Sequence, residues 1–216
     1  MRPPPEAFTS KELRIVERAS TPCEVQRFLN SLPYSHDRTL RSFRGVVRDW
    51  TAHCLEAALA AAAILEQHGY EPLLLDLESR DQLDHVMFLY RRRGLWGTVA
   101  RSRDPGLHGR RPVFRRLRDL VDSYADPYVD LEGRIVAWGV CNLEVLGSYD
   151  WRLSERNVKK VENHLIEMKH TRFRMAEARY RYWHERYITF KQRRPDARPV
   201  YYTNRRTWTP GYPRNT

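Results

Sequence analysis

A cysteine and a histidine 31 residues apart, Cys54 and His85, are the two residues of this sequence with the clearest potential to do chemistry together. Cys54 stands within "TAHCLEAA", at the front of the most apolar stretch, and His85 opens the segment "HVMFLY". A thiolate is a strong nucleophile and a histidine can act as its base, so the pattern is compatible with covalent catalysis. The alternative is that both residues are structural, since free cysteines are among the most buried residue types.

The segment around Cys54 predicts a buried helix that begins near the cysteine. Its sequence, "AHCLEAALAAAAILEQHG", is rich in helix formers and apolar on nearly all sides through Leu65, and Gly69 supplies a stop signal. The first turn of a helix has unpaired backbone N–H groups and a dipole that favours an anion. We therefore expect this helix to stabilise a Cys54 thiolate and to offer N–H donors to an oxyanion.

The segment around His85 predicts an antiparallel hairpin. "EPLLLDLES" is typical of a strand, and "DHVMFLYRRRGLWGTVARS" is typical of two strands joined at 91–94. Side chains alternate along a strand, so His85 shares a face with Met87 and Leu89. If Met87 and Leu89 pack on the helix, His85 points toward the helix as well, at the edge of a cleft.

In this order, the segments resemble the bacterial transglutaminase-like superfamily of the papain-like cysteine fold. That family has a cysteine at a helix N-terminus, a short Gly-containing element after the helix, a histidine that opens a strand, and Gly-Trp in the next hairpin. The residues that match the Gly-containing element and the hairpin are Gly69, Tyr70, Pro72, Gly94 and Trp96. The resemblance covers roughly residues 45–145.

The resemblance implies an α+β fold with a papain-like or transglutaminase-like core, in which the central helix packs on an antiparallel sheet. It implies Cys54 as the nucleophile and His85 as the base of acyl transfer, amide or peptide hydrolysis, or deamidation through a thioester. Some members of the family have lost catalysis. The family's orienting aspartate is replaced here by Ala100, and Ser102 and Asp104, just beyond, are the candidates to orient His85.

Composition narrows the remaining classes of function. With 41% apolar and 30% charged residues the chain is typical of a globular protein, and its longest apolar run, 57–65, is far too short to span a bilayer. Three cysteines without a CxxC pair predict reduced thiols and a cytoplasmic protein. The scattered histidines predict no metal site, and "GLHGRRP" lacks the residues of a phosphate-binding loop, so we expect no cofactor. The expected substrate is a protein or peptide amide, and no membrane contact is expected.

The net charge of +11 is concentrated in the last third of the chain. Residues 151–216 carry 17 basic and six acidic side chains, whereas residues 1–150 carry 21 of each. Aromatic residues between Phe173 and Phe190 recur at helical spacing, and a proline-rich stretch follows them. Two interpretations remain open for 151–216: an aromatic seam that packs on the body, or a surface that contacts protein, RNA or another polyanion.

These patterns indicate four regions: an N-terminal helical region at 1–44, the transglutaminase-like core at 45–150, a basic amphipathic helical extension at 151–192 and an extended basic tail at 193–216. The alternative to an enzyme is a non-catalytic binding module or a subunit of a larger assembly. The absence of an acidic residue at Ala100 and the basic C-terminal region favour that alternative.

Overall fold

The computed structural model describes residues 2–37, 39–199, 201–202 and 205–210. Within these ranges the protein is mixed α and β, with seven α-helices and a five-stranded antiparallel sheet. The helices are α1 (Ser10–Arg18), α2 (Pro22–Asn30), α3 (Phe43–Asp49), α4 (Cys54–Glu66), α5 (Leu117–Ala125), α6 (Lys159–Glu167) and α7 (Glu177–Arg193). The strands are β1 (Leu73–Ser79), β2 (His85–Arg92), β3 (Leu95–Val99), β4 (Ile135–Asn142) and β5 (Thr171–Arg172), in the spatial order β3-β2-β1-β4-β5.

Local sequence signals account for where three of the helices begin. Thr9 caps α1 in a reciprocal arrangement with Glu12, and Thr21 does the same for α2 ahead of Pro22. Cys54 is the first residue of α4, directly after the cap residue His53. The predicted start of the central helix at the cysteine is therefore confirmed.

Helix α4 is the centre of the main hydrophobic core. Every residue from Leu55 to Glu66 is buried, and the helix packs against α2, α3 and β2. Two buried glutamates lie at its ends, and each is held by an arginine: Glu56 by Arg41 at 3.1 Å and Glu66 by Arg152 at 2.6 Å. Removing either arginine side chain would leave a buried carboxylate without its cationic partner, which is costly in free energy.

The sheet separates two apolar cores, and the alternation along β2 assigns its residues to them. Val86 and Phe88 belong to the core around α4, whereas Met87 and Leu89 belong to the second core, with α5. The condition under which His85 would face α4, packing of Met87 and Leu89 on that helix, is therefore not met. Residues 85–90 are all buried, so this part of the strand is covered on both faces and its hydrophobic pattern does not indicate which face meets the helix.

The basic C-terminal region continues the core of the body. Trp151, Val158, Val161 and Leu165 pack in the same core as α4, and β5 adds the fifth strand to the sheet. The extension is therefore continuous with the body rather than attached beside it.

Helix α7 and the segment after it fold against each other and against the body. Along α7, Trp183 stacks on Tyr201 with ring centroids 6.0 Å apart, and Arg179 contacts Asp122 at 2.7 Å. Further along, the Thr209 backbone N–H donates to the Gly109 carbonyl at 3.0 Å. The described part of the predicted extended tail is thus docked, and positions 200, 203–204 and 211–216 of that prediction lie outside the described residues.

None of the helices in the described ranges combines the length and apolar character needed to cross a bilayer.

Candidate active site

A cleft of about 680 Å³ opens at the end of the sheet where β1 ends and β2 begins. The four residues predicted for the site all line it: Cys54, His85, Ser102 and Asp104. The cleft is reached from both faces of the sheet, because its walls include Leu165 from the α4 core and Leu107 from the second core. Cys54 and His85 therefore share one cleft although the alternation of β2 turns His85 away from α4.

The Cys54 thiol lies at the N-terminus of α4, near polar groups that favour its thiolate. Burial, the largest effect, raises the pKa of the thiol. The backbone N–H groups of Val86 and Leu55 and the Tyr34 hydroxyl favour the thiolate and act against that rise in pKa without reversing it. Cys54 is consequently a neutral thiol at pH 7, in a setting that stabilises a thiolate once the proton has a destination.

Tyr34 is a site residue that was not predicted from the sequence. It lines the cleft, its hydroxyl interacts with both the thiol and the backbone N–H of Cys54, and burial raises its pKa so that it remains protonated. A parallel bridge between Tyr34 and Ala52 fixes it beside the start of α4. Its chain position, 20 residues before Cys54 and in no recognisable pattern, carries no signal for this role.

The hydrogen bonding of His85 defines its tautomer. Its Nε2 lies 2.8 Å from the carbonyl oxygen of Leu107. A carbonyl only accepts, so Nε2 carries the proton and Nδ1 keeps a lone pair. Burial lowers the pKa of His85 to about 4, and the imidazole is therefore neutral at pH 7. This arrangement leaves Nδ1 as a proton acceptor.

The group that orients His85 is a backbone carbonyl, not either of the predicted side chains. The Ser102 hydroxyl accepts from the Asp104 backbone N–H at 3.1 Å, and the Asp104 carboxylate binds Arg198 at 3.0 Å. Neither side chain is hydrogen-bonded to His85 within the part of the chain that the structure describes. The negative charge of Asp104 does favour the protonated form of His85, so its contribution is electrostatic.

Arg110 holds the loop that presents the Leu107 carbonyl. Its guanidinium is fully buried, donates to the carbonyls of Gly106 at 2.6 Å and His108 at 2.7 Å, and lies 3.9 Å from the ring of Tyr124. Burial lowers the pKa of Arg110 to about 10, which still leaves it charged at pH 7. A buried charge bound mainly to carbonyls restricts those carbonyls to one geometry, and so Arg110 positions the partner of His85 indirectly.

Ala100 stands at the position where the resemblance implies an acidic residue, and its role here is structural. It is fully buried, and the Gln26 amide bonds both its carbonyl, at 2.7 Å, and its N–H, at 3.0 Å. The strand end that carries Ala100 is therefore fixed by α2.

A second titratable group lies on the α4 side of the cleft. Asp76 on β1 is directly opposite Val86, whose backbone N–H favours the Cys54 thiolate, and its carboxylate is 3.0 Å from Nε2 of His170. Burial raises the pKa of Asp76 to about 6.

Among the described residues, no group of three or more Cys, His, Asp or Glu side chains is arranged to hold a metal ion.

No protein-family model matches the chain, and no curated protein matches it significantly.

Proposed function

We propose that the protein is a cysteine-dependent enzyme that transfers or hydrolyses an acyl group, on a papain-like or transglutaminase-like core. The observation that carries the proposal is the presence in one cleft of two groups. One is a helix-N-terminal thiol with surrounding donors. The other is a neutral imidazole whose Nε2 is fixed by a carbonyl and whose Nδ1 is a proton acceptor.

In the proposed reaction His85 takes the proton of Cys54 as the sulfur attacks a substrate carbonyl carbon. The C–S bond forms and the carbonyl π electrons move to oxygen. We assign stabilisation of the developing charge to the Cys54 backbone N–H and the Tyr34 hydroxyl, which lie together at the start of α4. Collapse of this intermediate breaks the bond to the leaving amine, which receives the proton from His85 and leaves a thioester.

The second half of the reaction releases the acyl group. His85 takes a proton from water or from an amine, the nucleophile attacks the thioester carbon, and the C–S bond breaks to regenerate the Cys54 thiol. Water as the acceptor gives a carboxylic acid, and an amine gives a new amide. The resting pair is neutral because burial raises the pKa of Cys54 and lowers that of His85. The proton therefore moves only when substrate is in place.

The experiment that tests the proposal is formation of an acyl-enzyme in a chain whose only cysteine is Cys54, made with Cys23→Ala and Cys141→Ala. Incubation with p-nitrophenyl acetate followed by intact-mass measurement should show one acetyl group on the thiol. We expect His85→Ala to lower the acylation rate by about 10²-fold or more, which is the usual contribution of a general base. His164→Gln, a histidine of α6 that does not line the cleft, is the matched control and should leave the rate unchanged.

A non-catalytic binding module is the second candidate, and one observation favours it: the raised pKa of the Cys54 thiol, which lowers its reactivity in the absence of substrate. The same experiment separates the two. Acylation that is equally slow in the parent and the His85→Ala chain identifies Cys54 as a structural thiol and rejects the enzyme.

A further inference from the structure

The cleft is strongly acidic although the chain as a whole is basic. Seven carboxylates and three basic side chains line it. The carboxylates belong to Asp76, Asp81, Asp84, Asp104, Asp130, Glu162 and Asp196, and the basic side chains to Arg103, Lys191 and Arg198. Of the seven, only Asp104 is within 4.0 Å of an arginine or lysine in the described ranges, through Arg198. The cleft therefore presents an excess of negative charge in a chain whose net charge is +11.

A buried carboxylate oxygen beside the thiol lacks a hydrogen-bond donor. The Asp76 side chain is 6% exposed and lines the cleft, and while its Oδ2 faces His170, its Oδ1 has no partner among the described residues. An unsatisfied buried acceptor of this kind is rare because it costs the full desolvation of the group. A donor supplied by a ligand would remove that cost, and a cationic donor would also offset the charge.

The C-terminal segment shows that basic groups fit this cleft. Lys191 and Arg198, two of its three basic side chains, come from the C-terminal region, and Arg198 binds Asp104 at 3.0 Å. Lys191 is held by carbonyls of its own segment, with its Nζ 2.7 Å from the Pro195 oxygen. Even with these groups present, the carboxylates outnumber the basic side chains by four, so the negative charge of the cleft is not neutralised and favours binding of a further cation.

We propose that the cleft binds a cationic peptide segment, with a lysine or arginine of the substrate held by Asp76 and the other cleft carboxylates next to the bond that Cys54 attacks. This proposal rests on the proposed function for the identity of that bond, but binding itself does not need catalysis. Carboxylates in a concave, partly desolvated site act over short distances more strongly than on an open surface, and they attract a cation selectively.

The test is binding of two fluorescein-labelled octapeptides to the full-length Cys54→Ala chain, followed by fluorescence anisotropy. The peptides are equal in length and contain four lysines or four glutamates. Non-specific attraction to a chain of charge +11 favours the glutamate peptide, so a preference for the lysine peptide must come from a local acidic site. We expect the lysine peptide to bind at least about tenfold more tightly, and to weaken between about 50 and 200 mM salt.

Two variants on one helix test the location. Glu162 of α6 lines the cleft, and Glu167 of the same helix is exposed and does not. We expect Glu162→Gln to lower the affinity for the lysine peptide by about threefold, which is the effect of losing one partly solvated ion pair. Glu167→Gln should leave the affinity unchanged. Asp76→Asn should weaken it by about tenfold or more. If Asp76→Asn does not fold, the Glu162 and Glu167 pair still decides the location.

Equal binding of both peptides, tighter binding of the glutamate peptide, or equal effects of Glu162→Gln and Glu167→Gln would overturn the acidic-cleft proposal. Failure of the proposed function gives a different result. If Cys54 forms no acyl-enzyme but the lysine peptide binds with the expected variant pattern, the cleft is a receptor for basic peptides without catalysis.

Discussion

The Cys54 thiol and the His85 imidazole are both neutral at pH 7 because both are removed from water. Desolvation raises the pKa of Cys54 and lowers that of His85 to about 4. In a pre-formed thiolate–imidazolium pair these two shifts would have the opposite signs. This protein therefore needs substrate, or high pH, to generate the nucleophile.

The pH profile of alkylation tests that protonation state. In the chain whose only cysteine is Cys54, the rate of carboxamidomethylation by iodoacetamide should keep rising with pH beyond 9, the ordinary pKa that burial raises. The reason is that only the thiolate reacts. Stopped samples analysed by intact mass give the rate at each pH. A plateau that begins below pH 7 would instead reveal a stable thiolate and contradict the neutral pair.

The loss of folding stability in acid tests whether His108 is buried in its neutral form. Burial lowers the pKa of His108 to about 3, from an ordinary value of 6.5. The unfolded chain therefore binds the proton first, and the stability that neutral His108 contributes is complete above pH 6.5 and is lost as pH falls toward 3. We expect parent and His108→Gln chains to differ by about 2 kcal/mol in the stability that they lose between pH 6.5 and 4.5. Urea unfolding at each pH measures the free energy of unfolding. The contribution of Asp76 to the pH dependence is the same in both chains and cancels in the comparison. Identical pH dependence in the two chains would show that His108 is solvated.

At the scale of elements, the sequence predicted which segments form helices and strands more successfully than which faces meet. Caps at Thr9 and Thr21, the alanine-rich helix after Cys54 and the hairpin turn at Arg93 and Gly94 are encoded by residues close together in the chain. The orientation of His85 and its bond to Leu107 depend on tertiary packing. Both faces of the buried part of β2 carry apolar residues, so the sequence does not distinguish them. The partner of His85 is a backbone carbonyl, which every residue type has, so residue type does not reveal it.

The link between α2 and the end of β3 gives a prediction for an element. Gln26→Ala removes both hydrogen bonds to the buried backbone of Ala100. Leaving those groups unpaired should cost about 1–3 kcal/mol, which corresponds to a fall in Tm of roughly 3–10 °C for a chain of this length. Gln192→Ala, an exposed glutamine-to-alanine change on α7, is the matched control and should leave Tm within about 1 °C. Equal Tm values for the two variants would show that α2 does not hold this strand end.

At the scale of the whole molecule, part of the excess positive charge is paired with carboxylates of the body. Arg179 pairs with Asp122 and Asp126, and Arg198 pairs with Asp104. Composition predicted a basic C-terminal region but not its docking, because the carboxylates that receive it are spread over the balanced part of the chain. Contact of this region with RNA or another polyanion stays a prediction.

Docking of the tail gives a prediction at this scale. The Trp208 ring lies 5.2 Å from the Arg110 guanidinium, over the loop that presents the Leu107 carbonyl. Trp208→Ala should expose this charge, lower Tm and slow acylation of Cys54, since the loop loses its cover. Tyr182→Ala, an exposed aromatic residue of α7 at 55% exposure, should change neither quantity. If Trp208→Ala lowers Tm but leaves acylation unchanged, the loop keeps its geometry without the tail.

The walls of the cleft also determine when it can exist. Tyr202 lines it together with Cys54, yet it is synthesised 148 residues later. At ribosomal rates this interval is on the order of 10 s, and contacts between such distant residues form only after long loops have closed. Throughout that interval the nascent chain carries Cys54 without Tyr202, and the cleft wall is incomplete, so that oxidants or other thiols reach the thiol more easily. Docking of the C-terminal region therefore does more than shape a binding site: it ends a period of chemical vulnerability at the residue on which the proposed activity depends.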